Sequence, residues 1–351
     1  MTTENDCSNT EEGGNSAIAT VVSAIGDIAS STSIPEPVRR NALKAFGQLC
    51  SAAIDVPVAM LEGIAAEKRA EAQARVKLIA TSADQMATQM KMDPQFAEAA
   101  AVRYGQKIVR QQVNLNRISG IAATQLKAGS NIDQSDSSTT GNQPEASIDQ
   151  DWLNHFESEA SEKSTEEMQM LFGKILAGEI KRPQSFSIKT LRLISQLDSR
   201  VAAIFKTLCS LSVSLTIPNS PIFDVRVCAL GGTPGANALQ AFGLSFDQLN
   251  ILQEYGLVIA EYNSHMNYAI CIAHENRVSL PFIFEGKQYG LVPKAERSPG
   301  QEFRISGVAL TKAGRELFPI VEIDPNQEYA KALREFFDKQ GFSVASIGNA
   351  T

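Results

Sequence analysis

The chain has 351 residues, 43% of them hydrophobic, 7% aromatic and 20% charged, with a formal net charge of −7. This composition supports a buried core and excludes a low-complexity chain, and the length suits two domains. The five cysteines, Cys7, Cys50, Cys209, Cys228 and Cys271, form no CxxC pair, and their spacing suits neither a zinc site nor a disulfide framework.

Residues 1–15 carry Glu4, Asp6, Glu11 and Glu12 with no base, followed by Gly13-Gly14, and read as a disordered tail. So acidic a start does not resemble a secretory signal, and the expected setting is a reducing cytoplasm. Residues 17–30 predict a short helix. Ser33-Ile34-Pro35-Glu36 then offers a cap hydroxyl, a proline near the first helical position and an acid three residues on. Val38, Ala42, Phe46 and Leu49 repeat at helical spacing until Pro57 breaks the run. The most apolar stretch, 43–66, is interrupted by Lys44, Asp55, Pro57 and Glu62, whereas a membrane span needs about 20 mostly apolar residues. Membrane attachment is therefore not expected, although an amphipathic segment within 17–66 keeps a membrane-associating effector among the alternatives.

Residues 58–91 predict a long helix. Asp93-Pro94 opens a second one, running to about Ala128. Each is about 50 Å long at 1.5 Å per residue, and only Met92-Asp93 separates them, so the expectation is an antiparallel hairpin. Ala97, Ala101, Tyr104, Ile108, Leu115 and Ile118 recur at three- and four-residue steps, interrupted by Gln111. That is a coiled-coil-like seam and the candidate assembly surface of a homo-oligomer.

Residues 129–147 are rich in Ser, Thr, Asn, Asp and Gln and read as a flexible acidic linker. Helical patterning resumes at Asp149. A capping box at Ser164-Thr165-Glu166-Glu167 opens an amphipathic helix carrying Met168, Leu171, Phe172, Ile175, Leu176 and Ile180. Pro183 ends it, Ser185 caps the next helix and Asp198 a third. From Lys174 to Lys206 seven basic residues stand against only Glu179 and Asp198. Lys181, Arg182, Lys189 and Arg192 are the candidate contacts for phosphate or an acidic partner.

Beyond Ser212 strands are expected over 215–217, 222–228, 257–262, 268–273, 281–284 and 289–292, with Glu285-Gly286 as a hairpin turn. Ser245 caps a helix that Gly256 stops, and 326–340 form a terminal amphipathic helix. The order helix, Gly256-Leu257, β hairpin, then Leu310-Thr311 with Gly314 and Leu317 resembles a winged-helix module. The helix before Gly256 carries Asp247 and Glu254 and no base, which argues against its reading DNA. The organisation expected is thus α+β, mainly α: a tail over 1–15, a helical domain with a long hairpin over 16–128, the linker over 129–147, a small helical bundle over 148–212 and the winged-helix-like module over 213–345.

No catalytic motif appears. His155, His265 and His274 have no metal-ligand spacing, the Gly231–Gly235 loop lacks the Lys-Ser/Thr of a P-loop, and no serine sits in a nucleophile elbow. Neither catalytic nor metal-binding residues nor a cofactor are assigned.

Asp151-Trp152-Leu153 with Phe156, the run 167–179 ending in Lys174-Ile175-Leu176-Ala177-Gly178-Glu179, and Arg182-Pro183-Gln184-Ser185-Phe186-Ser187 together resemble the bacterial domain of unknown function 2806. Members of that family read W-A-K-I-L-A-G-E and R-P-G-S-F-S there. This chain has Leu171-Phe172-Gly173 for the tryptophan and alanine, and Gln184 for the glycine. A more distant likeness, over 167–205, is to the alpha-type abortive infection proteins of phage defence. Neither resemblance implies catalytic residues. The expected function is a non-enzymatic, oligomerising protein that binds a protein partner, in phage defence or stress response. A winged-helix nucleic-acid binder is the alternative.

Overall fold

A computed structural model describes residues 22–50, 94–129, 147–216, 223–232, 237–269, 280–295, 297 and 301–347. It is an α+β chain with an antiparallel sheet, and it divides into two compact units, Met1–Leu191 and Arg192–Thr351.

In the first unit, α1 (residues 22–30) and α2 (Glu36–Leu49) precede the long α3 (Pro94–Gly129), then α4 (Gln150–Ser161) and α5 (Glu166–Lys181). Helix α3 packs against α2, α4 and α5. Leu115, Ile118 and Ala122 of α3, Phe156 of α4, and Phe172, Leu176 and Ile180 of α5 are buried, as the helical spacing predicted. Each such large side chain contributes roughly 1.5–3 kcal/mol. Trp152 stacks on Phe156 at 5.2 Å, and Phe156 meets Phe172 at 5.6 Å. Helix α5 approaches α3 closely at Gly173, where an added Cβ would stand 2.4 Å from Ile121 Cγ2. The helix expected over 58–91, and with it the hairpin, lies outside the described residues.

Side-chain amides close the open carbonyl ends of these helices. Gln112 donates to Leu49 O at 3.0 Å, Asn114 to Ser161 O at 2.8 Å and Asn41 to Ile180 O at 3.4 Å. These acceptors are the last residues of α2 and α4 and the penultimate residue of α5, where a helix leaves carbonyls without an internal partner. Asn41 also accepts from Ile148 N–H at 3.2 Å.

Segment 129–147 interrupts this unit rather than ending it. Helices α4 and α5 on its far side bury their apolar stripes against α2 and α3 on its near side, and the units divide at Leu191 and Arg192, within α6 (Ile188–Ser195). Polar composition marks where the chain lacks apolar side chains, not where the core divides.

Three expected helix caps differ in detail. Pro35 occupies the N-cap of α2, and the Ser33 hydroxyl lies 2.9 Å from that of Ser31 instead. Thr165 is the N-cap of α5 without a side-chain cap bond. Ser187, not Ser185, accepts from Thr190 N–H at the start of α6, while Ser185 donates to Arg182 O at 2.5 Å. Asp149, Asp198, Ser245, Thr311 and Asn326 cap their helices through their side chains.

The second unit holds α7 (Ser199–Leu211), β1 (Ser212–Thr216), β2 (Phe223–Cys228), α8 (Phe246–Glu254), β3 (Val258–Ile259), β4 (His265–Asn267), β5 (Leu280–Phe284), β6 (Lys287–Pro293), β7 (Arg304–Leu310), α9 (Lys312–Leu317), α10 (Gln327–Lys339) and β8 (Phe342–Ser346). All pairs are antiparallel, in the order β3-β7-β2-β1-β5-β6-β8, with β4 also on β7. Glu285 and Gly286 both have positive φ, 50° and 71°, as a two-residue hairpin between β5 and β6 requires. Strands β4, β7 and β8 were not foreseen, and only 258–259 of the strand expected over 257–262 is extended enough to pair. Much of the strand expected over 268–273 lies outside the described residues.

The turn at Gly256-Leu257 and the start of α9 lock together. Thr311 Oγ1 donates to Gly256 O at 2.6 Å and accepts from Gly314 N–H, while an added Cβ at Gly314 would stand 2.3 Å from Leu257 O. This is the local logic of the Gly-Leu and Leu-Thr-x-x-Gly pattern, set here within a wide sheet.

Candidate functional site

Three kinds of place could carry function: buried reactive groups, the stripe along α3, and the cationic turn between α5 and α6.

The buried groups are engaged in structure. On β2, Asp224 and Arg226 point to one face two residues apart. Arg226 Nε lies 2.6 Å from Asp224 Oδ2, and its Nη1 donates to Ser264 O and Ile305 O at 2.8 and 2.9 Å. Tyr268 donates to the same carboxylate at 2.6 Å. A buried ion pair is tolerated when hydrogen bonds satisfy it this way, and this one ties the β3–β4 connection to the sheet. Burial pushes the Cys209 thiol up and the Cys228 thiol up to about 12, so neither forms a thiolate near neutrality. His155 is half-buried on α4, His265 is exposed with Nδ1 3.0 Å from Asn263 O, and His274 lies outside the described residues. No group of three or more His, Cys, Asp or Glu among the described residues could hold a metal, and no helix there is long and apolar enough to cross a membrane. A groove of about 560 Å³ in the second unit is lined by Lys206, Ser210, Asp324 and Asn326. Two of its charges match each other: Asp324 lies 2.8 Å from Lys206, and their hydrogen bond raises the lysine's pKa.

The α3 stripe changes character along its length. Leu115 and Ile118 are buried, Ile108 is half-buried, and Tyr104 is 55% exposed, with Val102 and Val109 exposed beside it. The side chains of Ala97 and Ala101 fall outside the described residues. Gln111, the polar interruption, donates to Glu162 Oε1 at 2.8 Å, and Lys107 lies 3.2 Å from the same oxygen. The Gln111 bond, then Lys107, hold the Glu162 carboxyl below the usual range. The structure thus brings Leu115 and Ile118 together in the core and leaves Tyr104 outside it.

The cationic turn is built from beneath by a carboxylate. Glu179, buried on α5, accepts from Gln184 N–H at 2.6 Å and Phe186 N–H at 3.0 Å. Gly178 leaves room for Phe186, whose Cε2 would meet a Cβ there at 2.8 Å. Gln184 sits at φ 72°, a left-handed conformation that favours glycine. Around this turn Lys181 is half-buried, Arg182 and Lys189 are exposed, and none of the three is ion-paired among the described residues. Arg192, exposed, follows Lys189 one turn on along α6 and opens the second unit.

The turn is therefore a structural device: Gln184 is its left-handed residue, Gly178 makes the space and Glu179 supplies the acceptor. The model of the family described as Protein of unknown function (DUF2806) matches residues 98–334, more than half of the chain. The chain belongs to this family. No curated protein and no solved structure matches it. For this DUF2806 chain the matched region runs from α3 to α10, so it takes in most of the described part of both units. Sequence reasoning missed Glu179 as an acceptor. An acid four residues before a Pro-x-Ser-Phe turn, in an otherwise apolar and basic stretch, was the available signal.

Proposed function

We propose that the chain is a non-enzymatic interaction protein that self-associates through the amino-terminal half of α3. One observation carries this reading: a single three-and-four stripe is buried at Leu115 and Ile118 and continues past the core to an exposed Tyr104. Apolar side chains at such positions gain by docking into a facing helix. The fitting occupant is the same stripe on a second copy, because one seam serves both partners. The test is the mass of the full chain by light scattering, beside Tyr104→Glu and Ile108→Glu chains. The expected result is an oligomer for the first and a monomer of unchanged helicity for the others. A full chain that is monomeric, or an oligomer indifferent to both substitutions, overturns the reading.

A second reading has its own observation. Lys181, Arg182 and Lys189 have no ion pair among the described residues and surround one turn, which suits an anionic partner. Helix α8 carries Asp247 and no base, so the winged-helix-like part of the chain is better suited to packing on protein than to reading DNA. A mobility shift with duplex DNA that weakens with salt and disappears in the Lys181→Ala, Arg182→Ala, Lys189→Ala chain would establish phosphate binding. The likeness of 167–205 to alpha-type abortive infection proteins supports a cytoplasmic role in phage defence. Phage plating on bacteria with and without the chain tests it.

A further inference from the structure

Helix α3 carries five bases and one acid, Glu98, in a chain whose net charge is −7. Two of the bases are paired, Lys107 with Glu162 and Lys127 with Asp27. The other three, Arg103, Arg110 and Arg117, are exposed and have no ion pair among the described residues. Glu162 feels the charge of Arg110, but its carboxylate bonds Gln111 and Lys107 instead. The three arginines recur every seven residues. Seven residues fall about 20° short of two full turns. The arginines therefore stand on one line of the helix, each about 10.5 Å beyond the last at 1.5 Å per residue.

A second seam runs beside that line. Ala99, Val102, Gln106, Val109 and Val113 follow steps of three, four, three and four residues, the spacing that keeps one stripe against a facing helix. The first four are exposed, Val102 by 54% and Val109 by 63%, and Val113 is half-buried. Arg103 and Arg110 directly follow Val102 and Val109, at the flanking place from which a charge reaches across to a partner helix. This is not the stripe of Tyr104. Residues two apart lie about 200° round a helix, so Val102 turns away from Tyr104.

An exposed apolar seam bordered by free arginines asks for a surface that is apolar along its middle and acidic along its border. A second copy fits this poorly. An antiparallel pair sets arginine against arginine. In a parallel pair the facing flank is Glu98, Gly105 and Gln112, so one arginine in three meets an acid. The phosphates of a nucleic acid satisfy arginine but give Val102 and Val109 nothing apolar to pack on. A membrane surface takes a broad apolar face, whereas Gln106 interrupts this one at its centre.

We propose that this face of α3 docks an acidic helix of a different protein, with apolar side chains at three-and-four spacing and carboxylates opposite Arg103, Arg110 and Arg117. The valines supply burial, and the arginines set orientation and reject basic partners. Gln106 fixes the register, because it asks for a polar residue opposite. The face is separate from that of Tyr104, so it stands whether or not the chain self-associates.

The test is binding of labelled probes to the full chain, read by fluorescence anisotropy. The probes are a synthetic helix of about four heptads with Leu in its seam and Glu on its flanks, the same helix with Lys for Glu, a duplex DNA, and vesicles of phosphatidylglycerol. The acidic helix should bind at least tenfold more tightly than the basic one, and added salt should weaken it. An Arg103→Glu, Arg110→Glu, Arg117→Glu chain of unchanged helicity should reverse the preference, and a Val109→Glu chain should lose at least tenfold in affinity for the acidic helix. No binding of the acidic helix, a preference that the reversal leaves in place, or indifference to Val109→Glu overturns the proposal. DNA or vesicles held more tightly than the acidic helix through the same arginines would move the face to nucleic acid or to membrane. A mass by light scattering that the arginine reversal changes would give the face to a second copy. The Tyr104→Glu chain should bind the acidic helix as the parent does, so failure of the self-association reading and failure of this one are distinguishable.

Discussion

The Glu179 carboxylate receives the Gln184 backbone N–H at 2.6 Å, across the turn that joins α5 to α6. With the Phe186 N–H on its other oxygen at 3.0 Å, one buried acid organises the backbone beneath Arg182. Glu179→Ala leaves one buried and one part-buried donor without this acceptor and should lower stability by about 1–3 kcal/mol. Glu179→Gln, which keeps one accepting oxygen, should fall between it and the parent. Urea denaturation midpoints of the three chains check the order.

Gln184 is the other half of the device. Its φ of 72° is strained for a residue with a Cβ. Gln184→Gly should therefore stabilise the chain, by about 0.5–1 kcal/mol after the extra freedom of the unfolded glycine is allowed for. Thermal unfolding should show a higher Tm. A lower Tm would mean that the glutamine side chain contributes more than its backbone costs.

Gly173 faces Ile121 where α5 crosses α3. Gly173→Ala inserts a Cβ 2.4 Å from Ile121 Cγ2 and should cost about 1–3 kcal/mol as the helices separate. Ile121→Ala removes that methyl. The double variant should lose less than the sum of the single ones, and a double-mutant cycle on unfolding free energies measures the coupling.

Cys209, Cys228 and Tyr329 all titrate above their ordinary ranges because burial disfavours their anions. In the unfolded chain a thiol ionises near pH 8.5, whereas Cys228 folded does so only at about 12. Between those values the folded state holds a proton that the unfolded state has lost, so stability declines as pH rises through that window, by up to about 1.4 kcal/mol per pH unit for each such group. Unfolding midpoints should be flat from pH 7 to 8 and fall above pH 9. Thiol labelling at pH 8, read by mass spectrometry, should leave Cys209 and Cys228 unmodified until denaturant is added.

The extent to which the sequence was legible varied with the range of the interaction. Asp93-Pro94 placed the start of α3, and Asp198, Ser245 and Asn326 announced their helices, because a cap acts over three residues. Strand β8 was missed because Phe-Ser-Val-Ala-Ser is a weak strand pattern that becomes a strand only against β6. The candidate seam was read as one continuous stripe because its period is continuous; only packing divides it into a buried part at Leu115 and Ile118 and an exposed part at Tyr104. Lys181, Arg182 and Lys189 were found from charge alone, while the acid that shapes their turn was counted only as a counter-charge.

By itself the sequence determined which segments are helical, which side chains face inward, where most chain reversals fall and which family the chain resembles. These depend on periodicity, capping and left-handed glycine positions, all written within a few residues. The tertiary structure decided that α4 and α5 join α3 across a polar linker, that Gln112, Asn114 and Asn41 close the ends of other helices, that Asp224 and Arg226 pair beneath Tyr268, and that β8 pairs with β6. Each of those depends on residues tens of positions apart meeting in space, and a contact at that distance leaves no local pattern in a single chain.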